Sequence, residues 1–316
     1  MLRLVFNRDD LQRVRIAAAP DPMWETVLSL HRLRDRRPGP RHEEWARRVR
    51  HRTDAGWLST LFDLVPRRGG FPDFLTPGDQ VTALDEGCEA LAGTARHSLR
   101  ADLEAVFTGH VPTWVRALAD GDRDQLLGVV GATRGAYSAL VAPFGHEVRA
   151  AVAADRATRL HRLSTEGVGG LLQSLPGVIG WDGRTLALAY PATRTVPLAG
   201  RGLMLIPSLF CRGAPVTLID PDRTPVLVYP AAGPQRAPDS ASLVALLGRT
   251  RADCLSALRT MYNTSQLAER LGTSVGTASK QAAVLREAGL VSSLRDGGTV
   301  WHELTPLGAD LLAGRG

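Results

Sequence analysis

From Ser274 to Gln281 the chain reads SVGTASKQ, and one side of that octet is equipped to hydrogen-bond something outside the protein. On a helix, Ala278, Ala282 and Leu285 recur at spacings of four and three and make an apolar stripe. The opposite side then carries Gly276, Thr277, Lys280 and Gln281, with Ser274 in the N-cap position. Hydroxyls, an amide and an ammonium within two turns can meet anionic oxygens or the donor and acceptor edges of planar rings. Gly276 leaves room for a close approach. A helix with a packed rear and a small, polar, cationic start has the shape and chemistry to enter a DNA major groove.

The flanking residues supply the elements that would hold such a helix. Upstream, Asn263 caps a helix, with Gln266 as the reciprocal partner of a capping box, and Leu267, Ala268 and Leu271 form its apolar stripe. Gly272 ends that helix in a left-handed residue, and Gly289 ends the next one. Leu290 to Leu294 and Thr299 to Leu304 alternate as two short strands around the turn sequence Arg295-Asp296-Gly297-Gly298. Thr305-Pro306 opens a closing helix. Helix, turn, helix, hairpin and helix predict a winged helix-turn-helix. In it Thr277, Lys280 and Gln281 read base edges or adjacent phosphates, while Ser274, Val275, Gly276 and Ser279 lie close to the backbone or bases. Ser265 and Gln266 on the first helix and Arg295 in the wing hold phosphates.

The run LAERLGTSVGTASKQAAVLREAGLV, followed by LTPLGADLL, resembles the winged-helix repressors of the ArsR/SmtB-like group and, more loosely, the MarR group; the resemblance is specific over Leu243 to Gly316. Earlier segments, MWETVLSLHRLRD, PDFLTP, RGLMLIPSLF and PVTLIDPDRTPVLVYP, resemble the long N-terminal domain of an actinobacterial branch of ArsR-like regulators. The resemblance implies double-stranded DNA as a partner, a homodimer and a repressor. Founding members of the group sense metals through thiolates in the first helix of the pair. Here that helix, Thr264 to Leu271, has neither Cys nor His, so metal sensing of that kind is not expected.

Composition sets further bounds. The chain has 316 residues, enough for two domains, and 44% hydrophobic with 22% charged residues is ordinary globular material. No apolar run approaches the roughly 20 residues of a spanning helix, and the N-terminus turns charged before an apolar stretch develops, so neither membrane nor signal peptide is expected. The three cysteines, Cys88, Cys211 and Cys254, are odd in number and far apart, which suits a reducing cytoplasm rather than a disulfide framework. Nine arginines between His31 and Arg52, against Asp35, Glu43 and Glu44, give that stretch +6, the formal net charge of the whole chain. Residues 241 to 316 hold eight basic and six acidic side chains, so the DNA-reading part is only weakly cationic. No Cys or His spacing suits a metal, and no GxSxG, P-loop, GxGxxG or HExxH appears. Neither a cofactor nor a catalytic residue is expected. Glu25, Glu43 and Glu44 read as helix-surface or ion-pair acids.

The expected fold class is α+β and mostly helical. Residues 1–230 form a regulatory domain, helical to about 175 with a small antiparallel sheet over 176–230; residues 231–240 are a linker, and 241–316 the winged helix-turn-helix. Met1 to Phe6 reads as an edge strand, and Leu243 to Thr260 as one helix. Within the N-terminal domain Trp24, Trp57, Phe62, Phe71, Phe74, Phe107, Trp114 and Tyr137 are bulky enough to enclose an apolar small-molecule effector. These readings converge on a sequence-specific, dimeric, ligand-responsive transcriptional repressor binding a near-palindromic operator. Two alternatives stay open: an enzyme-like N-terminal domain fused to a regulator, and a winged helix used as a protein-interaction module.

Overall fold

The computed structural model describes the chain apart from residues 36–39, 50–54, 67–69, 79, 108, 110, 221–222, 233–239, 259 and 314–316. It is a mixed α/β protein, 56% helical and 16% strand. The chain divides into two compact units, Met1–Gly233 and Pro234–Gly316. That division falls inside the stretch read as a linker, most of which lies outside the described residues.

In the first unit β1 (Leu2–Val5), α1 (Arg8–Gln12) and β2 (Val14–Ile16) precede a run of helices: α2 (Pro22–Leu33), α3 (Pro40–Val49), α4 (Ala55–Leu64), α5 (Leu84–Ala92), α6 (Arg96–Val106), α7 (Thr113–Ala119) and α8 (Arg123–Ala136). A π-helical turn at Tyr137–Val141 leads into the long α9 (Gly145–Gln173), which is broken at Gly167, where φ is 68°. Then come β3 (Val178–Trp181), β4 (Thr185–Leu188), β5 (Arg194–Pro197), β6 (Leu203–Ser208), β7 (Val216–Leu218) and β8 (Val226–Pro230).

The strands depart from the expected antiparallel sheet. They form two mixed four-stranded sheets, ordered β3-β4-β1-β5 and β2-β6-β8-β7. The β3–β4 hairpin around Asp182-Gly183 is antiparallel, but β1 runs parallel to β5, and β6 runs parallel to both β2 and β8. β1 is therefore an interior strand rather than an edge, with Leu2 and Leu4 fully buried. A hairpin is announced by its own turn, whereas pairing Leu4 with Val196 leaves no local mark.

β6 shows why its run is apolar throughout. Met204 and Ile206 join the core built by the helices, whereas Leu203 and Leu205 join a second core shared with the other sheet and with Leu171 and Leu172 of α9. The period-2 alternation thus feeds two cores, and both faces are covered.

The second unit contains α10 (Ser240–Leu247), α11 (Arg249–Ala257), β9 (Tyr262–Asn263), α12 (Thr264–Leu271), α13 (Val275–Glu287), β10 (Val291–Asp296), β11 (Thr299–Leu304) and α14 (Pro306–Ala313). The single helix expected over 243–260 is two, because Gly248 at φ 79° turns the chain between α10 and α11. β9, unforeseen in the sequence, pairs with β11 and makes the hairpin a three-stranded sheet. The core is apolar, with Leu255, Leu267, Ala278 and Leu285 at 1% exposure or less.

Candidate nucleic-acid interface

Local chemistry sets α12 and α13. Asn263 Oδ1 accepts the Gln266 amide N–H at 2.9 Å, and the Asn263 amide donates to Gln266 Oε1 at 3.1 Å, closing the capping box. Gly272 ends α12 at φ 61°, ψ 36°, a left-handed conformation that a side chain would strain. Ser274 Oγ then accepts the Thr277 amide at 3.2 Å, a cap contributing about 1 kcal/mol. Ala278, Ala282 and Leu285 are buried, which fixes the rotation of α13 and turns its other face outward.

On that outward face Ser274, Val275, Gly276, Ser279 and Lys280 are exposed, Val275 to 52% despite being apolar. Thr277 and Gln281 are half-buried, and the Thr277 hydroxyl lies 2.9 Å from Ser274 Oγ. Ser265 and Gln266 are exposed at the start of α12. Arg295 is exposed near the hairpin tip, where the register runs Arg295↔Val300 and Asp296↔Thr299. Neither Lys280 nor Arg295 forms an ion pair with another described residue. The first N–H groups of α13 lack intrahelical partners by geometry and suit an anion. The surface thus offers hydroxyls, an ammonium, a guanidinium and helix-start amides. Beneath it, His302 is buried at the hairpin's root, Nδ1 2.8 Å from Ser293 Oγ and Nε2 3.0 Å from Thr264 Oγ1, tying the sheet to the start of α12.

Among the described residues, members of the aromatic set of the first unit take different places. Trp24 and Phe74 are core residues at 2% and 4% exposure. Trp57, Phe62, Phe71, Phe107, Trp114 and Tyr137 are partly buried against that same core. Trp24 and Phe71 meet edge to face at 5.8 Å, and Arg34 lies 3.6 Å over the Phe62 ring. Trp114, whose indole N–H donates to Asp63 Oδ2 at 3.1 Å, lines a polar surface cleft of about 240 Å³ with Ser59, Thr60 and Gln125. Tyr137 lines a different, mainly apolar cavity of about 210 Å³.

Glu25 is no surface acid. α2 is buried on every side through its first two turns, from Pro22 to Leu30, and Glu25 is 1% exposed. Its carboxyl accepts from Ser208 Oγ at 2.7 Å and from the amides of Leu209 at 2.9 Å and Phe210 at 3.1 Å. Burial outweighs those donors and pushes its pKa up to about 7. Burial likewise raises Asp21, the N-cap of α2, to about 6. The clue was the run MWETVLSL, apolar on too many faces for a surface helix. Glu44 pairs with Arg48 on the surface. Around His31, the described arginines serve the fold: Arg32 pairs with Asp35 at 2.8 Å, and Arg34 donates to the Phe62 carbonyl at 3.0 Å.

Cys88, Cys211 and Cys254 are buried free thiols, and burial pushes Cys254 up to about 11. Among the described residues no group of three or more His, Cys, Asp or Glu side chains could hold a metal ion, and no helix is long and apolar enough to cross a membrane. No family model, curated protein or solved structure matches the chain.

Proposed function

We propose that the protein is a sequence-specific DNA-binding transcriptional regulator, a repressor of the ArsR/SmtB-like kind, whose second unit is a winged helix-turn-helix. One observation carries this reading: Gly276, Ser279 and Lys280 stand exposed on α13 over a rear face buried through Ala278, Ala282 and Leu285. In this reading α13 enters the major groove. Lys280 and Gln281 reach base edges, the Ser274 end receives a phosphate, and Arg295 follows the backbone from the hairpin. A weakly charged reading head gives modest non-specific affinity, so two copies act as a dimer on half-sites about 34–36 Å apart. The first unit is the effector-binding part, acting from the cytoplasm on a small-molecule cue.

Selection of bound fragments from random DNA, followed by footprinting at moderate salt, tests this. Enrichment of a near-palindrome with two protected half-sites is the expected result. Recovery of no preferred sequence would sink it and leave the second unit as a protein-interaction module.

A further inference from the structure

The cavity of about 210 Å³ in the first unit lies where several elements begin or bend. Its wall includes Pro22 and Glu25 of α2, Leu84 of α5, Tyr137 and Val141 of the π-helical turn, and Val148 of α9. Single π turns occur often at functional sites, because the widened backbone displaces side chains from a packed stripe. An apolar cavity of roughly 150 Å³ accommodates benzene, so this space suits one small ring or a short branched chain.

Arg149 identifies the charge such a ligand would carry. It lines the same cavity and is exposed. Its guanidinium folds over Gly145, the first residue of α9, where an added Cβ would sit 3.1 Å from Nη1. It forms no ion pair among the described residues. Both oxygens of Glu25, which also lines the cavity, already accept internal donors, so Glu25 does not pair with Arg149.

Two of the cavity's walls lead to the same place. Glu25 holds Ser208 Oγ, and the Ser208 carbonyl accepts the Ala231 amide at 2.8 Å. On α9, Asp155 lies two turns beyond Val148 and accepts the Ala232 amide at 3.0 Å, the Tyr229 hydroxyl at 2.7 Å and Arg159 at 3.1 Å. Ala231 and Ala232 are the last described residues before the second unit.

We propose that this cavity binds a small apolar monocarboxylate, its ring or branched chain inside and its carboxylate on Arg149, and that occupancy is felt at Ala231 and Ala232. The proposal rests on the reading of the first unit as an effector domain and names that site, its ligand class and its route outward. A ligand acts this way only by favouring one arrangement of α2 and α9 over another.

The test uses the full-length chain without DNA. Calorimetric titration with small aryl and branched-chain carboxylates is set against their primary amides, and amide hydrogen exchange is followed at residues 231 and 232. Carboxylates should bind at least about tenfold tighter than the amides, and Arg149→Ala should weaken them about tenfold. Ala83→Trp, at an exposed position lining the cavity, should abolish binding, and ligand should slow exchange at both alanines several-fold. Carboxylates that fail to bind, that bind no better than the amides, that bind both variants like the parent, or that leave exchange at 231 and 232 unmoved would overturn the proposal. If these results hold while no DNA sequence is selected, only the DNA reading falls. A selected operator without carboxylate binding removes this inference alone.

Discussion

Within Met1–Gly233 the side chains of Asp10, Asp21, Glu25, Asp155 and Arg159 are buried to 5% exposure or less, whereas in Pro234–Gly316 His302 is the buried polar side chain among the described residues. The first unit uses its buried charges to join distant segments. Asp10 accepts from Gly202, Asp21 from Val81, Glu25 from Leu209 and Asp155 from Ala232. In the second unit the helix caps act locally, Asn263, Ser274 and Thr305 each accepting an amide three residues on, and the longer link between His302 and Thr264 spans 38 residues. A buried charge satisfied across some 60 to 190 residues specifies one arrangement of a large fold, at the cost of desolvation. Caps specify only helix ends, and Lys280 and Arg295 remain exposed.

The largest effect should come from breaking the Asp155–Arg159 pair. Asp155→Ala strands a guanidinium that is 5% exposed and removes the acceptor of Tyr229 and Ala232. A loss of about 3–5 kcal/mol is expected for an uncompensated buried charge. Hydrogen exchange resolved by residue should place that loss in the first unit and leave the core of the second unchanged. An equal loss in both would contradict their separation.

Next is the acid–base response of the first unit. Glu25 is raised from 4.5 to about 7, so its protonated form is the one the fold prefers. Its contribution is complete below 4.5 and is lost as pH rises through about 7. The gap between those values corresponds to roughly 3 kcal/mol at about 1.4 kcal/mol per pH unit. Asp21, raised to about 6, acts with the same sign. His31 acts with the opposite one: burial lowers it to about 4, so its contribution is present above 6.5 and fades as pH falls. Urea midpoints across this range, compared with those of Glu25→Gln, isolate the carboxyl. A variant that keeps the parent's slope would show that Glu25 does not titrate there.

Substitutions on α13 ask whether the second unit's exposed groups face DNA. At Gly276 a new Cβ meets nothing closer than Ser274 Oγ at 4.0 Å, so Gly276→Glu should fold normally. It should nevertheless lower operator affinity about a hundredfold or more, through bulk and like-charge repulsion. Lys280→Ala should cost about 1–3 kcal/mol of binding at one base position if it reads guanine. A uniform loss on all sequences would instead mark a phosphate contact. Parent-like binding by both variants would place the partner elsewhere.

The same contrast explains what the sequence disclosed. The capping box at Asn263, the left-handed Gly272, the N-cap at Ser274 and the hairpin around Gly297-Gly298 are local rules, legible within a few residues. So was the outward face of α13, because Ala278, Ala282 and Leu285 set its rotation. The partnerships of Glu25 were not legible, since they lie 183 to 185 residues away in the chain. The interior place of β1 in its sheet, and β2 altogether, were hidden for the same reason: parallel pairing carries no turn signal. Aromatic bulk by itself does not mark a cavity, because the same bulk that could wall one also fills a core.

The smallest expected effect concerns His302, whose sign should be opposite to that of Glu25. Burial lowers its pKa, with Arg286 adding to the effect, so the fold prefers the neutral ring. Its contribution is present above the ordinary histidine value and fades as pH falls below it, the reverse of Glu25. The neutral ring has one N–H and one acceptor nitrogen, and Ser293 and Thr264 place a hydroxyl at each. Protonation turns the acceptor into a second donor and forces one hydroxyl to reverse. Ser293→Ala removes one of the two contacts and should cost about 0.5–1.5 kcal/mol. Exchange of the Trp301 and His302 amides, corrected for intrinsic rates, reads the pairing of β11 with its two neighbours directly. From neutral to mildly acid solution it should speed up in the parent, while amides beside Glu25, such as Leu209, become better protected. If acid moved both sites in one direction, the opposed titrations assigned to Glu25 and His302 would be refuted.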